Sequence, residues 1–182
     1  MDWLTQLDFN FSNWIVQMLH ADWFNSVMAF ITALGDNGLI WILIAAALCI
    51  TKKYRKCGII LLLSLAITYI VGDHILKPLF ERDRPFIQNP EHSLIIPPPG
   101  GFSFPSGHTS SSFVSAYLLG KYNKHWQLPA FILAGFIGFS RIYLYVHFLT
   151  DVITGLLLGL LIGWLVYKGT KQYTIINQNN MP

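Results

Sequence analysis

Long apolar runs alternate with short polar or charged segments along most of this chain. Five of these runs are long enough, or nearly so, for a helix to cross about 30 Å of hydrocarbon, which takes about 20 residues. They lie near residues 37–51, 57–76, 106–120, 127–145 and 150–167. This spacing predicts a series of membrane-spanning helices joined by short connections.

The N-terminal part of the chain is harder to interpret because polar residues such as His20 interrupt an otherwise apolar and aromatic segment. We expect an interfacial stretch over residues 1–20 and a first span near residues 21–34. Together with the five runs, this predicts an all-α integral membrane protein, a bundle of six transmembrane helices. One domain would cover residues 1–171, and residues 172–182 would form a polar tail.

Composition supports a lipid environment. Hydrophobic residues make up 53% of the 182 residues and charged residues only 12%, whereas about a quarter of the residues are charged in a typical soluble domain. The net charge of +3 is small, and no basic stretch alternates with aromatic residues as in a single-strand binder. We therefore expect no nucleic-acid partner, and no obligate protein partner is evident. The two cysteines lack metal-type spacing.

The distribution of Lys and Arg predicts how the chain is oriented. Eight of the twelve lie within residues 52–56, 121–124 and 168–171, which share one side if the spans alternate. Cytoplasmic connections are enriched in these residues, so this side and the C-terminus would be cytoplasmic in a bacterial-type plasma membrane. The other four would lie outside: Lys77, Arg82, Arg84 and Arg141.

Residues 77–105 form the only long predicted loop. Their density of proline and glycine excludes a continuous helix. The loop also carries apolar residues, among them Phe80, Leu94 and Ile95. We expect it to lie against the outer bilayer surface or to pack over a functional site.

Cations and a helix start on the outer side suggest phosphate binding. Lys77, Arg84 and Arg141 could balance the charge of a phosphate ester, because arginine offers a planar fork and lysine a point charge. Ser106 and Gly107 stand where the loop enters the fourth predicted span. A helix N-terminus favours anions, so the Ser106 hydroxyl and the amides of both residues could donate to phosphate oxygens.

Two histidines and a carboxylate complete this chemistry. His108, one residue inside the proposed anion site, could protonate a leaving oxygen. His147 and Asp151 are four residues apart, which places them on one face of a helix. Asp151 could then hold the imidazole tautomer while the other ring nitrogen attacks phosphorus. The set can break a phosphate ester without a metal, and its membrane setting indicates a lipid substrate.

The motifs also resemble the three-part signature of the type 2 phosphatidic acid phosphatase superfamily, without departure at any signature position. The matching segments are Lys77-x6-Arg84-Pro85, Pro105-Ser106-Gly107-His108 and Ser140-Arg141-x5-His147-x3-Asp151. The resemblance implies a phosphohistidine on His147, oriented by Asp151, with His108 as general acid and with neither metal nor cofactor. It implies a phosphate cradle of five residues: Lys77, Arg84, Ser106, Gly107 and Arg141.

The chain looks most like small bacterial enzymes of that superfamily. The implied substrate is a lipid phosphate in the bilayer: phosphatidylglycerophosphate, phosphatidate or undecaprenyl diphosphate. A lipid phosphotransferase would use the same phosphohistidine, and product analysis separates it from a hydrolase. Haloperoxidase chemistry shares the signature but is disfavoured by the predicted spans. A non-enzymatic lipid transporter or scaffold is disfavoured by the complete signature.

Two further features carry expectations. Asp73 and His74 end the third predicted span beside Lys77 and could tune the charge of the site. Small residues recur every four positions at Gly155, Gly159 and Gly163, a pattern that permits close helix packing. We expect this packing to occur within one protomer.

Overall fold

The computed structural model describes residues 3–19 and 21–179, although not the side chains of residues 172–179. These residues form helices and connections, without a strand among them. The helices are α1 (Trp3–Leu19), α2 (Asp22–Leu34), α3 (Leu39–Ile50), α4 (Arg55–Tyr69), α5 (Lys77–Phe80), α6 (Pro85–Gln88), α7 (Gly107–Tyr122), α8 (Lys124–Tyr143) and α9 (Leu149–Asn179). A 3-10 turn (Asp36–Gly38) precedes α3, and a π-helical segment (Ile70–Leu76) joins α4 to α5. The all-α prediction is confirmed.

Helix α7 occupies the centre of the bundle. It packs against α4, α8 and α9, and its buried residues include Ser112, Ser115 and Leu118. Trp41 of α3 donates an indole hydrogen bond of 2.9 Å to the Ser112 hydroxyl. A central helix faces protein on most sides, so it can carry hydroxyl groups that a lipid-facing helix would not.

The glycines of α9 make the close approach to α7 possible. A Cβ atom on Gly155 would lie 2.6 Å from the carbonyl oxygen of Ser106, and one on Gly159 would lie 2.5 Å from that of Ser110. Both distances are too short for any side chain. The expected packing within one protomer is therefore confirmed for this face of α9.

The predicted spans at residues 21–34 and 37–51 do not fold back on one another. Helices α2 and α3 meet at a bend of 47°, where Asn37 and Gly38 have φ of 50° and 72°. With 13 and 12 residues, each is about 20 Å long at 1.5 Å per residue, which is short for a hydrocarbon core of about 30 Å. They form one broken span or a re-entrant segment.

The count of six spans is not confirmed. By length and composition, two described segments could cross a membrane, Arg55–Gln88 and Leu149–Lys171, with a third if the bent pair is one span. The hydropathy of α7 is reduced by its buried hydroxyl groups, and it has only 16 residues.

Helix α1 lies along the same end of the bundle as the long loop and packs against α8 and α9. One face exposes Trp3, Trp14 and Met18, whereas Asp8 and Phe9 on the other face are buried. This two-sided character is that of an amphipathic helix, and the interfacial position expected for residues 1–20 stays a prediction. Residues 1, 2 and 20, and residues 180–182 of the polar tail, lie outside the described part of the chain.

Candidate active site

The three sequence clusters meet around one cavity of about 570 Å³. Six of the eight predicted site residues line it: Lys77, Arg84, Gly107, His108, Arg141 and His147. The other two, Ser106 and Asp151, lie behind this wall and are fully buried. The cavity also reaches the apolar faces of α3 and α4 through residues such as Ile42 and Leu62.

Arg84 links the long loop to the connection between α8 and α9. Its Nε and Nη2 donate to the carbonyl oxygens of Gly101 and Gly100 at 2.9 and 3.0 Å, and Nη1 donates to that of Val146 at 2.9 Å. An arginine guanidinium stays protonated in proteins, so Arg84 is charged at neutral pH. The loop is thereby held over the cavity, as expected.

The other two cations are held differently. Arg141 is buried and its Nη1 donates to the Thr32 hydroxyl at 2.5 Å, while its Nε has no hydrogen-bond partner among the described residues. A buried donor left unpaired is costly, and this one can serve a phosphate oxygen. Lys77 donates to Asp73 Oδ1 at 2.5 Å. A phosphate at Lys77 would have to compete with that carboxylate.

The hydrogen bonds of His147 indicate its tautomer. Arg84 Nη1 lies 3.1 Å from Nε2 of His147, and a guanidinium can only donate, so we assign Nε2 as the acceptor and Nδ1 as the protonated nitrogen. Nδ1 faces Asp151 Oδ2 at 3.5 Å. Burial, reinforced by Arg84 and Arg141, holds the pKa of His147 well below its usual range. The ring is therefore neutral, with a lone pair on Nε2.

His147 and Asp151 do not share a helix face as expected. Helix α8 ends at Tyr143 and α9 begins at Leu149, so His147 lies in the connection and only Asp151 is helical. The backbone N–H groups of His147 and Val146 both donate to the carbonyl oxygen of Arg141. This tight loop, rather than helical periodicity, brings the two side chains together.

The start of α7 differs in part from the expectation. The Ser106 amide donates to the Asp151 carbonyl oxygen at 3.1 Å, so it is not available to a phosphate. The Ser106 hydroxyl accepts from Thr109 at 2.9 Å and keeps its own proton to donate. A Cβ on Gly107 would lie 3.3 Å from Asp73 Oδ2, so little space separates the helix start from that carboxylate.

His108 has a partner that sequence reasoning missed. Its Nε2 lies 2.9 Å from Oδ1 of Asp36, in the turn between α2 and α3. A Cβ on Gly35 would come within 2.8 Å of the His108 ring, so glycine is needed for the turn to approach. The available signal was an acidic residue in the Gly35–Gly38 break between apolar runs.

Arg82 was also missed, although it was one of the four outer cations. It donates to Asp151 Oδ1 at 2.6 Å and to Asp8 Oδ2 at 2.7 Å.

Among the described residues, no three His, Cys, Asp or Glu side chains are grouped so that they could hold a metal ion.

Comparison with known proteins fits this geometry. Residues 58–175 match the sequence profile of the PAP2 superfamily. The chain belongs to the PAP2 superfamily. The matched residues include all eight predicted site residues, whereas Asp8, Asp36 and cavity residues such as Ile42 lie N-terminal to them.

Its PAP2 relatives are lipid phosphatases. The chain is 36% identical to an undecaprenyl-diphosphatase of Sulfolobus acidocaldarius over 72% of its own length and 63% of the relative's. It is 36% identical to phosphatidylglycerophosphatase B of Bacillus subtilis over 82% and 76% of the two chains. The crystal structure of a transmembrane PAP2-type phosphatidylglycerolphosphate phosphatase from Bacillus subtilis superposes with a TM-score of 0.78 at 31% identity, covering 94% of this chain and 88% of the other.

Proposed function

We propose that this PAP2 protein is a membrane enzyme that hydrolyses a phosphate monoester or diphosphate of a lipid. The observation that carries the proposal is the mixed lining of the cavity. It contains the cations Lys77, Arg84 and Arg141 as well as apolar residues of α3 and α4 such as Ile42 and Leu62. A phosphorylated headgroup matches the cations and a hydrocarbon chain the apolar residues.

In the proposed reaction, the three cations hold the phosphoryl oxygens and His147 Nε2 attacks phosphorus. The bond from phosphorus to the lipid oxygen breaks as the new P–N bond forms. Arg84, which faces Nε2 in the described structure, then donates to the phosphoryl group. Asp151 Oδ2, which lies 3.5 Å from Nδ1 of His147, stabilises the positive charge that develops on the ring.

His108 is the proposed general acid. It gives a proton to the leaving lipid oxygen, and its hydrogen bond to Asp36 supports the protonated form of the ring. His108 can then take a proton from water as that water attacks the phosphohistidine. The products are the dephosphorylated lipid and inorganic phosphate, or a lipid monophosphate and phosphate if the substrate is a diphosphate. No step calls for a metal.

The names of the relatives bound the substrate class. They are a polyprenyl diphosphatase and a phosphatidylglycerophosphatase, and a lipid A 4'-phosphatase of Bacteroides thetaiotaomicron is 29% identical. Undecaprenyl diphosphate, phosphatidylglycerophosphate and phosphatidate remain our candidates for this chain.

We place the active site on the extracytoplasmic side of a plasma membrane, with the C-terminus in the cytoplasm. The basic residues 52–56, 121–124 and 168–171 support this orientation. Tyr143, at the outer end of α8, donates a hydrogen bond to Asn25 near the start of α2. This contact supports a start of α2 on the outer side of the membrane. The bent pair α2–α3 is then one crossing, which makes five crossings and leaves α1 beside the active site.

Replacement of the proposed nucleophile tests the function. Purified protein in detergent should release inorganic phosphate from at least one of the three candidate lipids. His147→Ala should abolish this release while the protein still inserts and folds. Activity should also persist in EDTA. Wild-type turnover in His147→Ala would refute the assignment, and a phosphorylated acceptor in place of free phosphate would identify a phosphotransferase.

A further inference from the structure

A buried charge network connects α1 to the carboxylate behind the proposed nucleophile. Arg82 Nη1 donates to Asp151 Oδ1 at 2.6 Å and to the Thr150 hydroxyl at 2.7 Å, while Nη2 donates to Asp8 Oδ2 at 2.7 Å. Asp8 Oδ1 accepts the Thr150 N–H at 3.1 Å, and its Oδ2 accepts the Thr150 hydroxyl. Asp8 and Asp151 expose 2% and 0% of their surface. Two buried carboxylates therefore share one guanidinium.

The two oxygens of Asp151 have separate partners. Oδ1 accepts from Arg82, whereas Oδ2 accepts the Phe148 N–H at 2.9 Å and faces His147 Nδ1. The Arg82 guanidinium also lies over the Phe148 ring, with Cζ 4.2 Å from its centroid. The bond to Oδ1 thus fixes the rotation of the carboxylate and keeps Oδ2 directed at the imidazole.

Asp8 in turn fixes Arg82. A long arginine side chain loses considerable rotamer freedom when it is held in one geometry, and Asp8 holds one arm of the fork while Asp151 holds the other. Phe9 packs on Phe148 with ring centroids 4.9 Å apart. Helix α1 therefore contacts the α8–α9 connection through both a charge and a ring.

We infer that Asp8 and Arg82 are positioning residues, through which the N-terminal helix α1 holds Asp151 in the orientation that His147 needs. The inference rests on the proposed role of His147. Without Arg82, Asp8 and Asp151 are left buried without their shared cation, and the Asp151 carboxylate keeps only the Phe148 N–H bond to hold its orientation. The affinity for the substrate phosphate should change little, because neither residue lines the cavity.

The test compares kcat and KM for a short-chain phosphatidate in detergent. Loss of a hydrogen-bond partner behind a metal-ligating side chain typically costs about 10- to 100-fold, and we take that range for the partner behind Asp151. We expect Arg82→Met and Asp8→Asn to lower kcat by about that factor, with KM within about twofold of wild type. Arg82→Lys should recover part of the loss, because its ammonium restores one charged contact to Asp151.

A double variant tests whether Asp8 acts on Asp151 through Arg82. If Asp8 acts only through Arg82, then Arg82→Met combined with Asp8→Asn should be no slower than Arg82→Met alone. Additive losses would overturn the inference that Asp8 acts through Arg82. If Arg82→Met does not fold, Asp8→Asn decides the matter, because it keeps the shape of the side chain and a wild-type kcat would refute the inference.

Ile15→Ala provides the matched control on α1. Ile15 is buried in the apolar cluster with Met28 and Tyr143, and its hydrocarbon side chain takes no part in the hydrogen bonds of the charge network. Its loss should lower thermal stability while leaving the kcat of the folded protein unchanged. An equal fall in kcat for Ile15→Ala and Asp8→Asn would refute the positioning role, because it would show that α1 contributes only to the stability of the fold. Absence of phosphate release by the wild type from all three candidate lipids would instead refute the proposed function.

Discussion

The close packing of α9 on α7 offers a direct test of how the site is held together. We predict that Gly155→Ala separates these helices. The added Cβ would lie 2.6 Å from the Ser106 carbonyl oxygen, a backbone atom, and 3.1 Å from Thr109 Cβ. The gap must widen by roughly 0.8 Å to reach the 3.4 Å at which ordinary contact begins.

This displacement bears on the site because Asp151 lies one helical turn before Gly155. The Ser106 amide donates to the Asp151 carbonyl oxygen, so moving α9 away from α7 strains the bond that joins the two motifs. Overpacking of this kind costs about 1–3 kcal/mol, offset by about 1 kcal/mol of improved helix propensity. A misplacement of about 1 Å near reacting groups can cost about 100-fold in rate.

Two measurements check the prediction: thermal unfolding in detergent and kcat for phosphate release. Gly155→Ala should have a lower melting temperature and a kcat reduced by about 100-fold. Gly135→Ala in α8 is the matched control, because a Cβ there meets no atom within 4 Å. It should be as stable as wild type, or more so, and fully active. Wild-type stability and turnover in Gly155→Ala would refute the argument that the close approach is required.

Three further predictions concern the cavity. Asp36→Asn should lower kcat about tenfold for an alkyl phosphate, because a charge-assisted hydrogen bond to His108 contributes about 1.5–3 kcal/mol. It should change kcat little for p-nitrophenyl phosphate, whose leaving group needs no proton. Equal losses on both substrates would contradict this role. Asp73→Asn should release Lys77 for the ligand and strengthen inhibition by inorganic phosphate severalfold, and an unchanged inhibition constant would argue against competition. Because the pKa of His147 is lowered, the ring should stay neutral as the pH falls through 6.5 and take up a proton only below it; a titration of ¹⁵N-labelled histidine that places its protonation at or above 6.5 would contradict this.

The helices and the three clusters could be predicted because both depend on local patterns. An apolar run marks a buried or lipid-facing helix whatever its neighbours are. The motif spacings place Lys77, Arg84, His108 and His147 at helix ends on one side. The structure adds that these ends surround one cavity.

The partners of these residues could not be predicted in the same way. The contact between His108 and Asp36 joins positions 72 residues apart, and that between Arg82 and Asp8 joins positions 74 apart. A single carboxylate in an N-terminal amphipathic segment resembles an ordinary solvent-facing residue until the fold buries it.

The bend between α2 and α3 was missed for a different reason. Hydropathy detects two apolar runs separated by Gly35–Gly38, but it does not distinguish a reversal of the chain from a change of direction. The outcome depends on left-handed backbone at Asn37 and Gly38 and on the docking of the turn against His108.

The bond between Asp8 and Thr150 has a consequence for the synthesis of the protein. It joins residues 142 positions apart, so α1 is synthesised well before the residue with which Asp8 pairs. Before Thr150 is made, α1 can pack against α8, but Asp8 lacks this partner. A chain that stalls before α9 also lacks Asp151 of the third signature motif, so it cannot complete the charge network behind His147.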